Sequence, residues 1–114
     1  MEYMLLLHVD ESGWPKLSQA EREQGMAAYR AYTEALKQAG VFRSGSQLGP
    51  SASAKTIRLA GGRPQVLDGP YADAKEQVGG YYLIEAQDPE SALEWAARCP
   101  TVGHGVVELR ALLR

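Results

Sequence analysis

Between Tyr3 and Val9 the chain reads YMLLLHV, a short run that is apolar on both of its alternating sides. In a strand, Tyr3, Leu5, Leu7 and Val9 point one way and Met4 and Leu6 the other. The helices of a small protein cover one such face, and the second needs different cover. The pattern therefore predicts a strand buried on both sides, with a partner subunit against its second face.

The period then changes. Ser18 with Glu21 three residues on forms a capping-box signature, and Gly25, Tyr29, Tyr32, Leu36 and Ala39 recur at helical spacing until Gly40 offers a stop. Gly25 inside this helix costs about 1 kcal/mol relative to alanine, which predicts close packing or room for a ligand there. Val41 to Leu48 is a weaker strand, ended by Gly49-Pro50-Ser51. Lys55 to Ala60 alternates, Gly61-Gly62 turns the chain, and Arg63 to Leu67 returns as a hairpin partner. The stretch DGPYADAKEQ, from Asp68, reads as a turn running into a short helix. A strand from Gly80 to Ala86 follows. Asp88 as N-cap and Pro89 at the first helical position open a second helix, whose apolar side is Leu93, Ala96 and Ala97. Pro100 ends it beside Cys99, and Gly105 to Leu112 alternates as a last strand.

This order, read with right-handed crossovers, predicts one α+β domain over residues 1–114. It is a ferredoxin-like antiparallel sheet with two helices on one face and an inserted β-hairpin. The first strand is then central, flanked by Tyr81–Ala86 and Val106–Leu112. Its C-terminal end lies beside the beginnings of both neighbours. His8, Asp10 and Glu11 should gather near Gly79-Gly80 and His104, with the Asp68–Glu76 loop arching over them.

Charge narrows the function. Twelve Lys and Arg against fourteen Asp and Glu leave a net charge of −2, and the basic residues are scattered, so no nucleic-acid surface is expected. The apolar run Met4 to Leu7 is far shorter than the roughly 20 residues that span a bilayer. Met1-Glu2-Tyr3 has no basic region of a signal peptide, and the single Cys99 has no internal disulfide partner. A cytoplasmic setting is expected.

The expected sheet-end cleft has two candidate catalytic residues. Asp68 would serve as base or hydrogen-bond acceptor, although Asp68-Gly69-Pro70 also reads plainly as a strand-ending turn. His104 lies between two glycines and has an imidazole suited to acid–base work near neutral pH; its plainer reading is structural. His8, Asp10, Gly69, Pro70, Tyr71, Lys75, Tyr81 and Arg110 are the candidate substrate-binding residues. Each has a plainer alternative: His8 caps a strand, Lys75 with Glu76 is a solvated loop pair, and Tyr81 is core or interface. Glu108 and Arg110 share a strand face and suit an interface ion-pair network, while Arg110's planar fork also suits an anionic substrate. Cys99 reads as a small buried hydrophobe. No known ligand spacing supports a metal site, and no cofactor is expected.

Several of these motifs resemble the YCII-related family, in particular the branch named for an Asp-Gly-Pro-Phe signature. They are Asp68-Gly69-Pro70-Tyr71, Lys75-Glu76, Gly79-Gly80-Tyr81-Tyr82-Leu83-Ile84-Glu85, Leu93-Glu94-Trp95-Ala96-Ala97, Cys99-Pro100, and His104-Gly105 with Glu108 and Arg110. The resemblance covers nearly the whole chain and implies a dimeric α+β barrel. It implies no settled activity. Smaller members carry a proposed His-Asp dyad, whose positions here hold Gly25 and Cys99, so that mechanism does not carry over. Tyr71 replaces the signature Phe, and Leu109-Arg110-Ala111 stands where the branch has Val-Arg-Pro.

The combined expectation is a homodimer that binds a small organic molecule, polar or carrying a carbonyl. It would act as a cofactor-independent isomerase, lyase or hydrolase through His104 and Asp68. The alternative is a non-catalytic binding or regulatory module, since domains resembling this one are associated with bacterial extracytoplasmic-function sigma factors. A third reading is that the fold only dimerises.

Overall fold

The strand β1, Glu2–Asp10, runs through the middle of a four-stranded antiparallel sheet in the computed structural model, which describes residues 1–114. Its neighbours are β5 (Glu76–Glu85) and β6 (Val106–Ala111), and β2 (Phe42–Gln47) completes the order β2-β5-β1-β6. Leu5 stands opposite Tyr82 on one side and Leu109 on the other. Two helices, α1 (Gln19–Gln38) and α2 (Pro89–Arg98), supply the second layer. The α+β ferredoxin-like arrangement is the expected one.

The core lies between sheet and helices. Tyr3, Leu5 and Leu7 of β1 are buried with Tyr82 and Ile84 of β5, Tyr32 and Leu36 of α1, and Ala92 and Ala96 of α2. On the other face Met4, Leu6 and His8 are only half-buried, as are Tyr81 and Leu83 beside them. The two apolar sides of β1 thus have different fates within one chain.

The helix ends follow their sequence signals. Ser18 accepts a hydrogen bond from the Glu21 N–H at 3.1 Å, and the Glu21 carboxylate accepts one from the Ser18 N–H at 2.9 Å. Gly40 leaves α1 at a φ of 74°, a conformation that disfavours side chains. Asp88 caps α2 by accepting from the Ser91 N–H at 2.8 Å. No helix is long and apolar enough to cross a membrane.

Four expectations need correction. The buried side of α2 is Ala92 and Ala96, whereas Leu93, 57% exposed, and Ala97 face outward. No helix forms after Asp68. Instead β5 starts at Glu76, because Gln77 and Glu76 pair with Val9 and Asp10. The Gln77 side chain donates to the Ala72 and Ala74 carbonyls, both at 2.8 Å, and so folds the preceding loop back onto the strand. Tertiary pairing overrides local propensity here. The last strand starts at Val106, and a 3-10 turn, Pro100–Gly103, precedes it. Gly25 has no packing requirement: an added Cβ would lie 3.7 Å from the Trp14 ring, an ordinary contact.

Gly105 differs. A Cβ there would collide with the His8 carbonyl oxygen, so the chain passes β1 at a distance only glycine allows. The hairpin of β3 (Lys55–Ala60) and β4 (Arg63–Asp68) forms a separate two-stranded sheet. Its paired Ile57 and Val66 are both exposed, as is Leu59.

The two glycines should respond oppositely to alanine. In urea denaturation, Gly25→Ala should stabilise the protein by about 1 kcal/mol through helix propensity. Gly105→Ala should destabilise it by about 1–3 kcal/mol through overpacking.

Candidate functional site

The C-terminal end of β1 borders an open cleft of about 450 Å³. Asp10, Lys75 and Glu76 line it, and the segment Val102 to Val106, which carries His104, lines it too. A second depression, about 490 Å³, holds His8 and Glu108 and shares Glu76 and Val106 with the first. Register explains the adjacency: His8 pairs with Val106 across β1 and β6, while Asp10 pairs with Glu76 across β1 and β5.

Asp10 is tied down locally. Its carboxylate accepts from the Ser12 hydroxyl at 2.7 Å and the Ser12 N–H at 3.0 Å, with the Lys75 ammonium at 3.8 Å. The Ser12 hydrogen bonds chiefly, with Lys75 adding to them, hold the carboxyl below the usual carboxylate range. Asp10 is therefore an anion at neutral pH.

His104 follows the 3-10 turn that ends at Gly103. Its Nε2 lies 3.3 Å from the Tyr29 hydroxyl, and the two rings meet edge to face at 6.3 Å. The same hydroxyl lies 2.6 Å from Thr101 Oγ1, and Thr101 is fully buried. Cys99 donates its thiol hydrogen to Thr101 Oγ1 at 3.7 Å. Burial pushes up both the Tyr29 phenol and the Cys99 thiol, so both keep their protons at neutral pH.

On the open sheet face, His8 Nε2 and Glu108 Oε1 are 3.0 Å apart, and Arg110 reaches the other Glu108 oxygen at 3.3 Å. The His8 contact first, then Arg110, lowers the Glu108 carboxyl. The Tyr81 hydroxyl lies 3.2 Å from Ser44 Oγ.

The chain brings Asp10, Lys75 and His104 to one cleft, with His8 in the adjoining one. It does not bring Asp68 there. Asp68 ends β4 and pairs with Lys55, which stands opposite it in the hairpin register, and it lines neither cleft. The inserted hairpin forms its own sheet, and this places the residue away from β1. Gly69 adopts a φ of 99°, donates to the Ala54 carbonyl at 2.8 Å and accepts from the Thr56 hydroxyl at 2.8 Å. Those are the contacts of a turn. Pro70 follows it, and Tyr71 is 82% exposed. Arg110 sits with Glu108 on the open face. Glu11, expected near the same end, accepts from the Ser51 N–H at 3.0 Å instead.

Three residues were not singled out as site members. Glu76 enters the cleft only because β5 is longer than its apolar run. Tyr29 reads from sequence as core or interface, one of four tyrosines of which one hydroxyl could reach the pocket. Thr101 carries no sequence signal beyond following Pro100. Neither cleft holds a group of three or more His, Cys, Asp or Glu placed for a metal ion.

Residues 1–114 match the YCII-related domain. An uncharacterized protein of Rhizobium meliloti (strain 1021) is 35% identical over 96 residues, which span 84% of this chain and 77% of that protein. Among solved structures, the chain is similar to 5-chloro-2-hydroxyhydroquinone dehydrochlorinase from Burkholderia phenoliruptrix AC1100, in complex with 2,5-dihydroxybenzoquinone. The TM-score is 0.55 at 19% identity, covering 99% of this chain and 94% of that one, which shows a shared fold.

Cys99, 2% exposed and protonated, supplies no charge where the resemblance expected a carboxylate. At about pH 8 it should resist a thiol-reactive dye in the native protein and react promptly in denaturant. Fast native labelling would contradict the buried thiol.

Proposed function

The chain belongs to the YCII-related domain family, and on that premise we propose that it binds a small polar organic molecule, one bearing a carbonyl, in the cleft beside Asp10 and His104. The observation that carries this reading is the meeting of a carboxylate, an ammonium and an imidazole around one opening. These groups recognise oxygen-rich ligands and can move a proton. The structural neighbour's bound dihydroxybenzoquinone, an oxygen-bearing ring, supports the same ligand class.

The chemistry that suits these groups is a cofactor-independent isomerisation, elimination or hydrolysis. His104 is the proton-transfer group. Asp10, held ionised by Ser12 and Lys75, acts as the fixed anion, taking the place first assigned to Asp68. The signature Asp68-Gly69-Pro70-Tyr71 supports membership of the Asp-Gly-Pro-Phe branch and supplies the turn that leads from the hairpin to Lys75. On this reading His104→Gln loses about 10²–10⁴-fold in turnover.

A homodimer completes the proposal. Met4, Leu6 and Leu83 leave a half-buried apolar strip on the open sheet face, which a second copy would cover. The exposed Ile57, Leu59 and Val66 of the hairpin instead favour the second reading, a non-catalytic module that docks a protein such as a bacterial sigma factor.

Two experiments separate these readings. Protein purified from its host, or soaked with small quinones and keto acids, should show ligand density against Asp10 and His104 in a crystal structure. Density between the helices would overturn the site. Sedimentation at low micromolar concentration should give twice the 12.4 kDa chain mass, and Leu6→Asp should give monomer. A monomeric native protein would overturn the dimer.

A further inference from the structure

We infer that a one-way hydrogen-bond chain, Cys99 to Thr101 to Tyr29 to His104, fixes neutral His104 in the tautomer that carries its hydrogen on Nδ1. His104 then presents an N–H donor, and its ligand must offer an acceptor oxygen such as a carbonyl or an enolate. The donor role rests on the cleft binding a ligand as proposed above; the tautomer does not.

The direction follows from hydrogen counting. Thr101 is fully buried, and its hydroxyl has side-chain partners only in the Cys99 thiol and the Tyr29 phenol. If Tyr29 donated to Thr101, the buried threonine hydrogen would be left with sulfur, a weak acceptor at 3.7 Å. An unsatisfied buried donor is costly, so Thr101 donates along the short 2.6 Å contact to the phenol oxygen. The phenol hydrogen then goes to the better base within reach, His104 Nε2 at 3.3 Å. An imidazole nitrogen that accepts a hydrogen bond carries no hydrogen of its own. Nδ1 must bear it, and no protein group hydrogen-bonds to that nitrogen.

The chain contains its own reference. It has two histidines, and His8 Nε2 faces the Glu108 carboxylate at 3.0 Å. An ionised carboxylate only accepts, so His8 carries its hydrogen on Nε2. The two imidazoles should therefore be opposite tautomers. Tyr29 and Thr101 are positioning residues here; His104 is the group that meets the ligand.

Long-range nitrogen–proton correlation spectra of ¹⁵N-labelled protein at about pH 9, where an ordinary imidazole is neutral, test this directly, with His104→Gln assigning the signals. The expected spectrum shows His104 protonated on Nδ1 and His8 on Nε2. In Tyr29→Phe the ratio of Nδ1–H to Nε2–H at His104 should fall about fivefold, the loss of one hydrogen bond of about 1 kcal/mol, while His8 stays unchanged. A native His104 protonated on Nε2 would overturn the inference, and so would a ratio that Tyr29→Phe leaves unaltered. If the native tautomer is as stated but no ligand occupies the cleft, the binding proposal fails and the hydrogen-bond chain stands.

Discussion

The interior of this protein depends on removing β1 from water, and β1 is apolar on both sides. One side is satisfied inside the chain, where Tyr3, Leu5 and Leu7 meet α1 and α2. The strand cannot be an edge, because its backbone is hydrogen-bonded on both flanks, to β5 and to β6. That double pairing holds the C-terminal end of β1 against the start of both neighbours. The cleft lies at this end, where polar residues follow the apolar run: Asp10, and across the ladder from it Glu76.

The close passage at Gly105 links this scaffold to the chemistry. With no side chain to keep it off the His8 carbonyl, the segment after α2 tucks under the end of β1. His104 is thereby placed within reach of α1, where Tyr29 waits. The positions at which the resemblance implied a dyad hold Gly25 and a buried thiol. In their place stands a hydrogen-bonded series that ends on His104, built from α1 and from the turn after α2. Much the same two regions of the chain are in use, with different groups.

Much of the architecture was legible because it depends on local rules. Ser18 with Glu21, Gly40, and Asp88 with Pro89 mark helix ends through backbone groups that must be satisfied within a few residues. The alternation in Lys55–Ala60 and the Gly61-Gly62 turn mark the hairpin for the same reason. The site was legible only in part. Asp10, Lys75 and His104 do share a cleft, since strand order alone brings them together. Asp68 was misplaced because its position depends on how the hairpin leaves the main sheet, and no residue in the hairpin encodes that direction locally.

The chain by itself therefore determined the two main helices, the hairpin, the strand order and the core face of β1, since these follow from hydrophobic period and capping chemistry. Tertiary structure decided the start of β5 at Glu76, where pairing with Asp10 outweighed a short local helix. It also decided the separation of Asp68 from His104, and the contacts that join Tyr29 to Thr101 and to His104 across more than 70 residues. Long-range contacts of this kind turn on ångström-scale placement of packed elements, which no local pattern of apolar and polar residues records.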